Sequence, residues 1–520
     1  MDSRTVAAGS RFGRPPATLV RFMADLGAEE GARVRERLST VPGIDRAADG
    51  EIADIVAAAA CALADAAGDR SPSCSVVRDR AGWTAVFVHG MTAIIAEAAL
   101  GAIALVERAR GDGWHPKAFE TTLQALRGRA SVRDVRELLV AAARRGLSPR
   151  PGQPGTGVLI GEGARLGRVL GTIGDGMPFA AFELCRSRMR VGQLLDAHGL
   201  PMRRQTVASS PRAAVEAAAE MDGPVVLRSL TPDARPDSPV AQGLPAIHAA
   251  FDDVAGPRGA AIVAEALSGA RWRLLVARGQ LVAIARVAAD GALTASPDAV
   301  DPGHQRLAER AARVVGADIA AVDLIVHDIA RPPAETFVRI DDVRAGPGVE
   351  PFFALAVSPP ALADRLLDVL AAGAGTGRIP LVGTLDGGVA DALAARWSAA
   401  GLTVGLATAQ GLQVGGVRLQ DGDRRGRHGL PLLVDHRSVE AAVVEIDPAD
   451  LWENGLGHGR LDVAVLDAAA HPALAATLAA LADRAVVAPP AVPPAAGAPR
   501  WIAVADRAAA VAAAAEWAVP

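Results

Sequence analysis

A loop whose shape suits a phosphate group lies in the last third of the chain, in the segment GRIPLVGTLDGGVADALAARW. Apolar residues 379–382 predict a strand, a turn follows, and the residues after the turn predict a helix, which is the layout of a phosphate-binding loop. Such a loop needs a lysine for the terminal phosphates and a Ser or Thr hydroxyl for Mg²⁺. The turn offers an aspartate, two glycines and a valine (residues 386–389), and the aspartate would repel a triphosphate. The sequence therefore predicts the backbone shape of a phosphate-binding loop without the lysine that would bind the phosphates.

Lysine is almost absent from the whole chain. Lys117 is the only one among 520 residues, and there is no tyrosine. A coding bias that replaces lysine by arginine explains this pattern without any functional meaning. Any mechanism that needs a lysine other than Lys117 is nevertheless excluded.

Composition and charge indicate which binding partners and which cellular compartment to expect. The net charge is only −4 and basic residues form no continuous run, so we expect no nucleic-acid partner. No stretch of 18 uncharged apolar residues appears, so we expect no membrane span. The first residues lack an export signal, and we expect a cytoplasmic protein. The three cysteines, Cys61, Cys74 and Cys185, are widely spaced and odd in number, which predicts reduced thiols.

Hydrophobic patterning divides the chain into three predicted domains and an α/β multidomain fold. Residues 1–160 have a mostly helical pattern with one clear strand, GWTAVFVHG, and two amphipathic helices that end near Gly146. Residues 161–375 alternate strands and helices, with several strands so close together that antiparallel pairing is expected. Residues 376–520 alternate strand and helix as a parallel α/β sheet would.

The middle of the chain resembles a known family. The segment LAERAARVVGADIAAVDLIVHDIARP, residues 307–332, resembles the ATP-grasp domain of cyanophycin synthetase, and further stretches on both sides follow that family in order. The resemblance implies an α+β N-terminal domain, an ATP-grasp domain and a truncated, P-loop-type Mur-ligase-like domain. In that family the two catalytic domains build arginyl-polyaspartate, and both use ATP to make an acyl phosphate that an amine attacks.

The resemblance assigns the nucleotide-binding residues of the ATP-grasp domain. The two lysines of the family fall on Arg188 and Arg228, and the adenine-side carboxylate falls on Ala264, with Glu265 one position away. Arginine is bulkier than lysine and meets phosphate oxygens with a planar fork. The glycine-rich lid of the family is replaced by TPDARPDSPVAQG, in which prolines remove backbone N–H donors. The phosphate-binding side of the site is therefore altered throughout.

The metal and acyl-phosphate residues follow from the same resemblance. Asp323 and Asp342 fall on the Mg²⁺ carboxylates, while Arg344 replaces an asparagine that would ligate the metal. A guanidinium has no lone pair to offer a metal ion. Arg273 and Arg286 stand where the family has arginines near the acyl phosphate, so an anion-binding pocket is expected to persist.

Two further family sites are altered. In the Mur-ligase-like loop Gly383, Thr384 and Gly387 are kept, whereas Gly388 and Val389 stand in place of the catalytic lysine and threonine. In the N-terminal region, a metal-binding motif found in some family members is replaced by the residues Glu51, Asp54 and Ile55.

These departures lead to one expectation and two alternatives. The first is a catalytically degenerate cyanophycin synthetase-like protein, a non-catalytic or regulatory partner that assembles with itself or with an active cyanophycin synthetase and needs no cofactor. The second is an ATP-grasp amide ligase that uses ATP and Mg²⁺ to extend a cyanophycin-type polymer. The third is a polymer binder whose arginines hold polyaspartate carboxylates.

Overall fold

The structure is a computed structural model that describes most of the chain. The described residues are 2–6, 17–21, 28–39, 52–67, 73–78, 84–89, 95–111, 114–115, 117–127, 136–147, 149–151, 157–230, 237–256, 259–295, 300–371 and 377–518. The chain forms two compact units, one of residues 1–167 with 373–520 and one of residues 168–372. None of the helices in these ranges is long and apolar enough to cross a bilayer.

The N-terminal part of the first unit combines helices with a small sheet. Its elements are β1 (Asp2–Val6), β2 (Ala17–Arg21), α1 (Ala28–Ser39), α2 (Ile52–Ala66), β3 (Ser73–Arg78), β4 (Thr84–His89), α3 (Ile95–Arg110), α4 (Ala118–Arg127), α5 (Arg136–Arg144), β5 (Arg150–Pro151) and β6 (Val158–Ile160). The sheet is antiparallel in the order β1-β2-β4-β3. Sequence reasoning expected one strand of this sheet, β4, and it missed the other three, because strands of five or six residues carry little periodicity. The two predicted amphipathic helices are α4 and α5.

The cysteine expectation is corrected in this region. Cys61, on α2, is disulfide-bonded. Helix α2 packs against β3 and β4, so a wide spacing in sequence does not keep cysteines apart in the fold. Cys185, in the second unit, is a free and buried thiol as expected, and burial raises its pKa to about 11.

The second unit contains two antiparallel sheets. Its elements are β7 (Gly167–Leu170), β8 (Ile173–Gly174), α6 (Phe179–Cys185), α7 (Arg188–Ala197), β9 (Gln205–Ala208), α8 (Pro211–Glu220), β10 (Val225–Arg228), α9 (Leu244–Ala255), β11 (Ala261–Glu265), β12 (Ala270–Ala277), β13 (Gln280–Val287), β14 (Leu293–Thr294), α10 (Pro302–Val315), β15 (Ile319–Val326), β16 (Val338–Ala345), α11 (Glu350–Leu355) and α12 (Pro359–Leu370). One sheet has the order β10-β11-β9, and the other has the order β14-β13-β12-β15-β16. The expected antiparallel pairing is confirmed.

Each sheet of the second unit has its own helical layer and core. Helices α8 and α9 cover the three-stranded sheet, and α6, α7 and α10 cover the five-stranded sheet. Helix α10 has clear boundary signals, since the Asp301 side chain caps its start and Gly316 ends it with a left-handed φ of 80°. Strand β15 is buried along its whole length, which makes it the centre on which the site residues are placed.

The C-terminal part of the first unit is a parallel α/β layer structure. Its elements are β17 (Leu381–Thr384), α13 (Gly387–Ala399), β18 (Val404–Thr408), β19 (Gly411–Val414), β20 (Val417–Asp421), α14 (Leu430–Val434), β21 (Ala441–Glu445), α15 (Pro448–Asn454), β22 (Leu461–Val465), α16 (Pro472–Leu481), β23 (Ala482–Ala488), β24 (Trp501–Ala503) and α17 (Arg507–Ala518). Six parallel strands run in the order β18-β21-β17-β22-β23-β24, and the hairpin β19–β20 extends one edge. Apolar cores lie on both faces of the sheet, so the predicted parallel α/β arrangement is confirmed.

Candidate functional site

The residues predicted from the ATP-grasp resemblance come together in the second unit. Arg188 begins α7, Arg228 ends β10, and Arg273, Asp323 and Asp342 lie on the neighbouring strands β12, β15 and β16. Asp323 is directly opposite Arg273 on one side and Asp342 on the other. Directly opposite residues of an antiparallel pair share one face of the sheet, so their side chains meet.

Asp323 is fully engaged by an arginine. Its side chain is 1% exposed, and the Arg273 guanidinium donates to both carboxylate oxygens, from Nε at 2.7 Å and from Nη2 at 2.8 Å. Arg344 Nη2 lies 3.7 Å from the same carboxylate. The contact between Arg273 and Asp323 has the bidentate fork geometry in which arginine and carboxylate bind most strongly.

Asp342 is engaged in the same way. Its Oδ2 accepts hydrogen bonds from Arg188 Nε at 3.2 Å and from Arg344 Nε at 3.3 Å, and its Oδ1 accepts one from the backbone N–H of Val343 at 3.0 Å. Arg188 was predicted as a nucleotide-binding residue and Asp342 as a metal ligand. The structure pairs them with each other.

Mg²⁺ does not fit these residues as they are arranged. The ion needs several oxygen donors in octahedral geometry, and the two carboxylates predicted to supply them are already held by three guanidiniums. No cluster of three His, Cys, Asp or Glu side chains with the geometry of a metal site occurs within the described residues.

Arg228, the second predicted nucleotide-binding residue, is held by two aspartates that sequence reasoning did not find. The side chain is 1% exposed, and it lies 3.2 Å from Asp341 and 3.1 Å from Asp237. Burial works against its charge, but these carboxylates leave the pKa of Arg228 above its ordinary value. Asp341 also pairs with Arg203 at 2.6 Å and with Arg271 at 3.0 Å.

The charge state of Asp341 follows from these partners. Burial alone would raise its pKa, yet Arg228, Arg203 and Arg271 hold the pKa of Asp341 well below its usual range. The carboxylate is therefore ionised inside the protein, and removing one of its partners would leave an uncompensated buried charge.

A β-bulge explains why Asp341 was missed. In the pairing of β15 with β16, Asp323 is opposite Asp342 and Leu324 is opposite Ile340, so Asp341 is an extra residue without a partner. In a regular strand Asp341 and Asp342 would point to opposite faces. A bulge changes the direction of a side chain, and here Asp341 and Asp342 both contact arginines. Strand alternation in the sequence could not reveal this.

These side chains form one group, which we name the arginine–aspartate cluster. Its members are Arg188, Arg203, Arg228, Arg271, Arg273, Arg344, Asp237, Asp323, Asp341 and Asp342. Among the described residues, the cluster therefore contains six arginines and four aspartates. Buried ions of this kind are tolerated only when they are paired and hydrogen-bonded.

A cavity of about 740 Å³ opens beside the cluster. Six arginines line it, among them Arg286, which was predicted to lie near the acyl phosphate. Arg286 is exposed, and its guanidinium has no hydrogen-bond or ion-pair partner among the described residues. Guanidinium groups bind carboxylate and phosphate oxygens, so the chemistry that this cavity offers is oxyanion binding.

Glu265, the predicted adenine-side carboxylate, accepts hydrogen bonds from Arg203 and Arg204. Its Oε1 accepts the N–H of Arg204 at 2.9 Å, and its carbonyl accepts Arg203 Nε at 2.8 Å. The residue ends β11 and has a local bonding role.

The phosphate-binding loop predicted in the C-terminal sheet has its expected shape but contains its own anion. Asp386 caps helix α13 by accepting the N–H of Gly388 at 2.8 Å, and Arg507 lies 2.9 Å from the same carboxylate. A Cβ on Gly388 would lie 2.5 Å from Arg507 Nη1, so the arginine fills the space above the turn. An internal carboxylate therefore occupies the anion-binding end of this helix.

The small residues of this loop have packing roles. A Cβ on Gly383 would lie 2.7 Å from side-chain atoms of both Ile446 and Leu461, so a larger residue there would have to displace them. Thr384 is buried, and its hydroxyl accepts the N–H of Asp386 at 3.1 Å. Gly387 faces Glu445, whose Oε2 would lie 3.2 Å from an added Cβ.

The third altered site lies on α2. Ile55 is buried in the helical core and Asp54 is exposed, while Glu51 lies outside the described residues.

Comparison with known proteins gives a partial match. No protein-family model matches the chain. It is 30% identical over 191 residues to the cyanophycin synthetase of Nostoc sp., which is 36% of this chain and 21% of that protein. The cyanophycin synthetase of Synechocystis sp. is 29% identical over 191 residues, covering 36% and 22%. The chain is therefore similar to cyanophycin synthetases over about a third of its length, and the match spans about a fifth of theirs.

Solved structures with similar parts include a ligase and an ATP-grasp protein by name. They include the D-alanine-D-alanine ligase of Coxiella burnetii, with a TM-score of 0.33 at 14% identity, covering 38% of this chain and 60% of that one. A RimK domain protein ATP-grasp from Sphaerobacter thermophilus has a TM-score of 0.30 at 23% identity, covering 36% and 69%. At these TM-scores the matches do not define the fold of the chain.

Proposed function

We propose that this chain is a catalytically degenerate relative of cyanophycin synthetase and acts as a non-catalytic or regulatory partner in the metabolism of arginyl-polyaspartate. The similarity to cyanophycin synthetases supports the metabolic setting. The arginine–aspartate cluster supports the loss of catalysis. As a regulatory subunit the protein would assemble with itself or with an active cyanophycin synthetase.

One observation carries the proposal. Arg273 binds both oxygens of Asp323, and Arg188 and Arg344 bind Asp342, so three cations occupy the two carboxylates that the family uses for Mg²⁺. A metal ion could ligate these oxygens only after displacing the arginines, which would leave buried positive charges beside another positive charge. Arg228, likewise, is held by Asp341 and Asp237.

The test is Mg²⁺-dependent ADP release with aspartate, arginine and a cyanophycin primer. We expect no release above background by the protein alone. We expect a changed rate when the protein is mixed with an active cyanophycin synthetase, compared with the same mixture containing an unrelated protein at equal concentration. An unchanged rate in the mixture would contradict the regulatory role.

An ATP-grasp amide ligase is the second candidate, and the open cavity favours it. The cavity beside the cluster is large, and Arg286 at its wall is unpaired among the described residues, so a charged substrate has room and a binding group. ADP release by the protein alone that is abolished by Asp323→Asn would establish this candidate and overturn the first.

A further inference from the structure

Asp237 differs from the other carboxylates of the arginine–aspartate cluster in where it lies. It belongs to the segment that replaces a glycine-rich lid in the resembling family, outside the strands, and its side chain is 19% exposed. Asp323, Asp341 and Asp342 lie on strands β15 and β16 and are at most 2% exposed.

Asp237 contacts three arginines at once. Its Oδ1 lies 3.4 Å from Arg188 Nη1, and its Oδ2 lies 3.1 Å from Arg228 Nε and 3.5 Å from Arg271 Nη2. A single carboxylate among three guanidiniums is the arrangement in which a bound oxyanion is held.

Each of these arginines also pairs with a buried carboxylate on a strand. Arg188 pairs with Asp342 at 3.2 Å, while Arg228 and Arg271 pair with Asp341 at 3.2 and 3.0 Å. Loss of Asp237 would therefore leave none of these three arginines without a carboxylate partner.

The position that Asp237 occupies is open to solvent. Asp237, Arg188 and Arg271 all line the cavity of about 740 Å³, as does Arg286, whose guanidinium has no partner in the described part of the chain. Arg271 is 34% exposed. A ligand with several oxyanion groups could take the place of the Asp237 carboxylate and reach a further cation in the same cavity.

We propose that Asp237 is a built-in competitor that closes an oxyanion site formed by Arg188, Arg228 and Arg271, and that a multivalent phosphate or carboxylate ligand binds there by displacing it. This inference rests on the proposed function in one respect: the arginines of the cavity bind anions and do not take part in the turnover of Mg·ATP. No covalent step is involved.

The test compares oxyanion binding by the wild type and by Asp237→Asn, which keeps the shape of the side chain and removes its charge. Isothermal titration with tripolyphosphate and, separately, with citrate is carried out at about 20 mM salt, where screening is weak. We expect at least one of the two ligands to bind the variant about ten-fold or more tightly than it binds the wild type, because a like charge has been removed from the site. The two arms distinguish a phosphate ligand from a carboxylate ligand.

Asp290→Asn is the matched control. Asp290 lines the same cavity, but its carboxylate accepts the N–H of Ala292 at 2.9 Å and pairs with no arginine among the described residues. We expect its affinity to stay within about two-fold of the wild type. An equal gain in both variants would show a general charge effect and overturn the proposal, as would the absence of any gain in Asp237→Asn.

A second variant and the choice of buffer keep the result interpretable. Asp237→Ser carries the same loss of charge and replaces the Asn variant if that variant does not fold. Mg²⁺ and nucleotide are left out, so the outcome is independent of ADP release: ligase activity would overturn the proposed function, while only the titrations decide the role of Asp237.

Discussion

Arg273 binds both carboxylate oxygens of Asp323, with Nε 2.7 Å from Oδ1 and Nη2 2.8 Å from Oδ2. The two residues are directly opposite each other on strands β12 and β15, so the strand register itself brings the fork to the carboxylate. In this protein the residue expected to ligate a metal is thus part of a buried ion pair, and breaking that pair has measurable consequences.

Asp323→Asn is expected to lower the free energy of unfolding by about 3 kcal/mol, because the Arg273 guanidinium loses its buried counter-charge. Urea unfolding followed by circular dichroism measures this. Glu216→Gln is the control, since Glu216 forms an exposed pair with Arg212 on α8, and we expect a change within about 0.5 kcal/mol. Equal effects of the two substitutions would show that the Asp323 pair is not a buried one.

Arg344→Asn is expected to make the protein responsive to Mg²⁺. The substitution removes a guanidinium from Asp342 and from the neighbourhood of Asp323, and it supplies an amide oxygen beside them. We expect millimolar Mg²⁺ to raise the melting temperature of the variant more than that of the wild type. Arg339→Asn is the control, because Arg339 is on the same strand but stacks on Phe337. A Mg²⁺ response in the wild type as large as in Arg344→Asn would contradict the assignment of Arg344 as a block.

Glu162→Gln is expected to change how stability depends on pH. Glu162 is buried in the first unit with His458 at 3.1 Å and Arg460 beside it. Burial opposes ionisation, but His458 and Arg460 hold the pKa of Glu162 below its ordinary value of 4.5. A lowered pKa means that the ionised form stabilises the fold, so this contribution is present above about pH 4.5 and is lost as the pH falls below it.

The measurement is the difference in unfolding free energy between wild type and Glu162→Gln across pH. We expect the variant to be less stable by about 3 kcal/mol near neutrality, and we expect the difference to shrink in acid. Glu335→Gln, in an exposed pair with Arg331, should show no such trend. A constant difference at all pH values would mean that charge is not what Glu162 contributes.

Substitutions of Asp386 separate its two roles at the start of α13. Asp386→Ala removes the helix cap and should cost about 1 kcal/mol of unfolding free energy. Asp386→Asn keeps a capping oxygen and loses only the partly exposed pair with Arg507, so we expect a change within about 0.5 kcal/mol. Thermal unfolding of both variants checks this, and an equal cost for Asn and Ala would assign the main role to the ion pair.

Much of the fold is readable from local patterns. The alternation of apolar runs and helical segments over residues 376–520 predicts the parallel sheet. The strands β1, β2 and β3 were not predicted, because a strand of five or six polar and apolar residues has no distinctive period. The disulfide of Cys61 was also missed, since pairing depends on how α2 packs.

The sequence by itself determined which chemistry is unavailable: with Lys117 as the only lysine, neither predicted nucleotide site can contain the lysine that its family counterpart uses. Only the tertiary structure decided what replaces it. Arg273 meets Asp323 through strand register, Asp341 reaches Arg228 through a bulge, and Asp237 reaches three arginines from outside the sheets. Ion pairs depend on distances between residues far apart in sequence, and such distances exist only once the strands have paired.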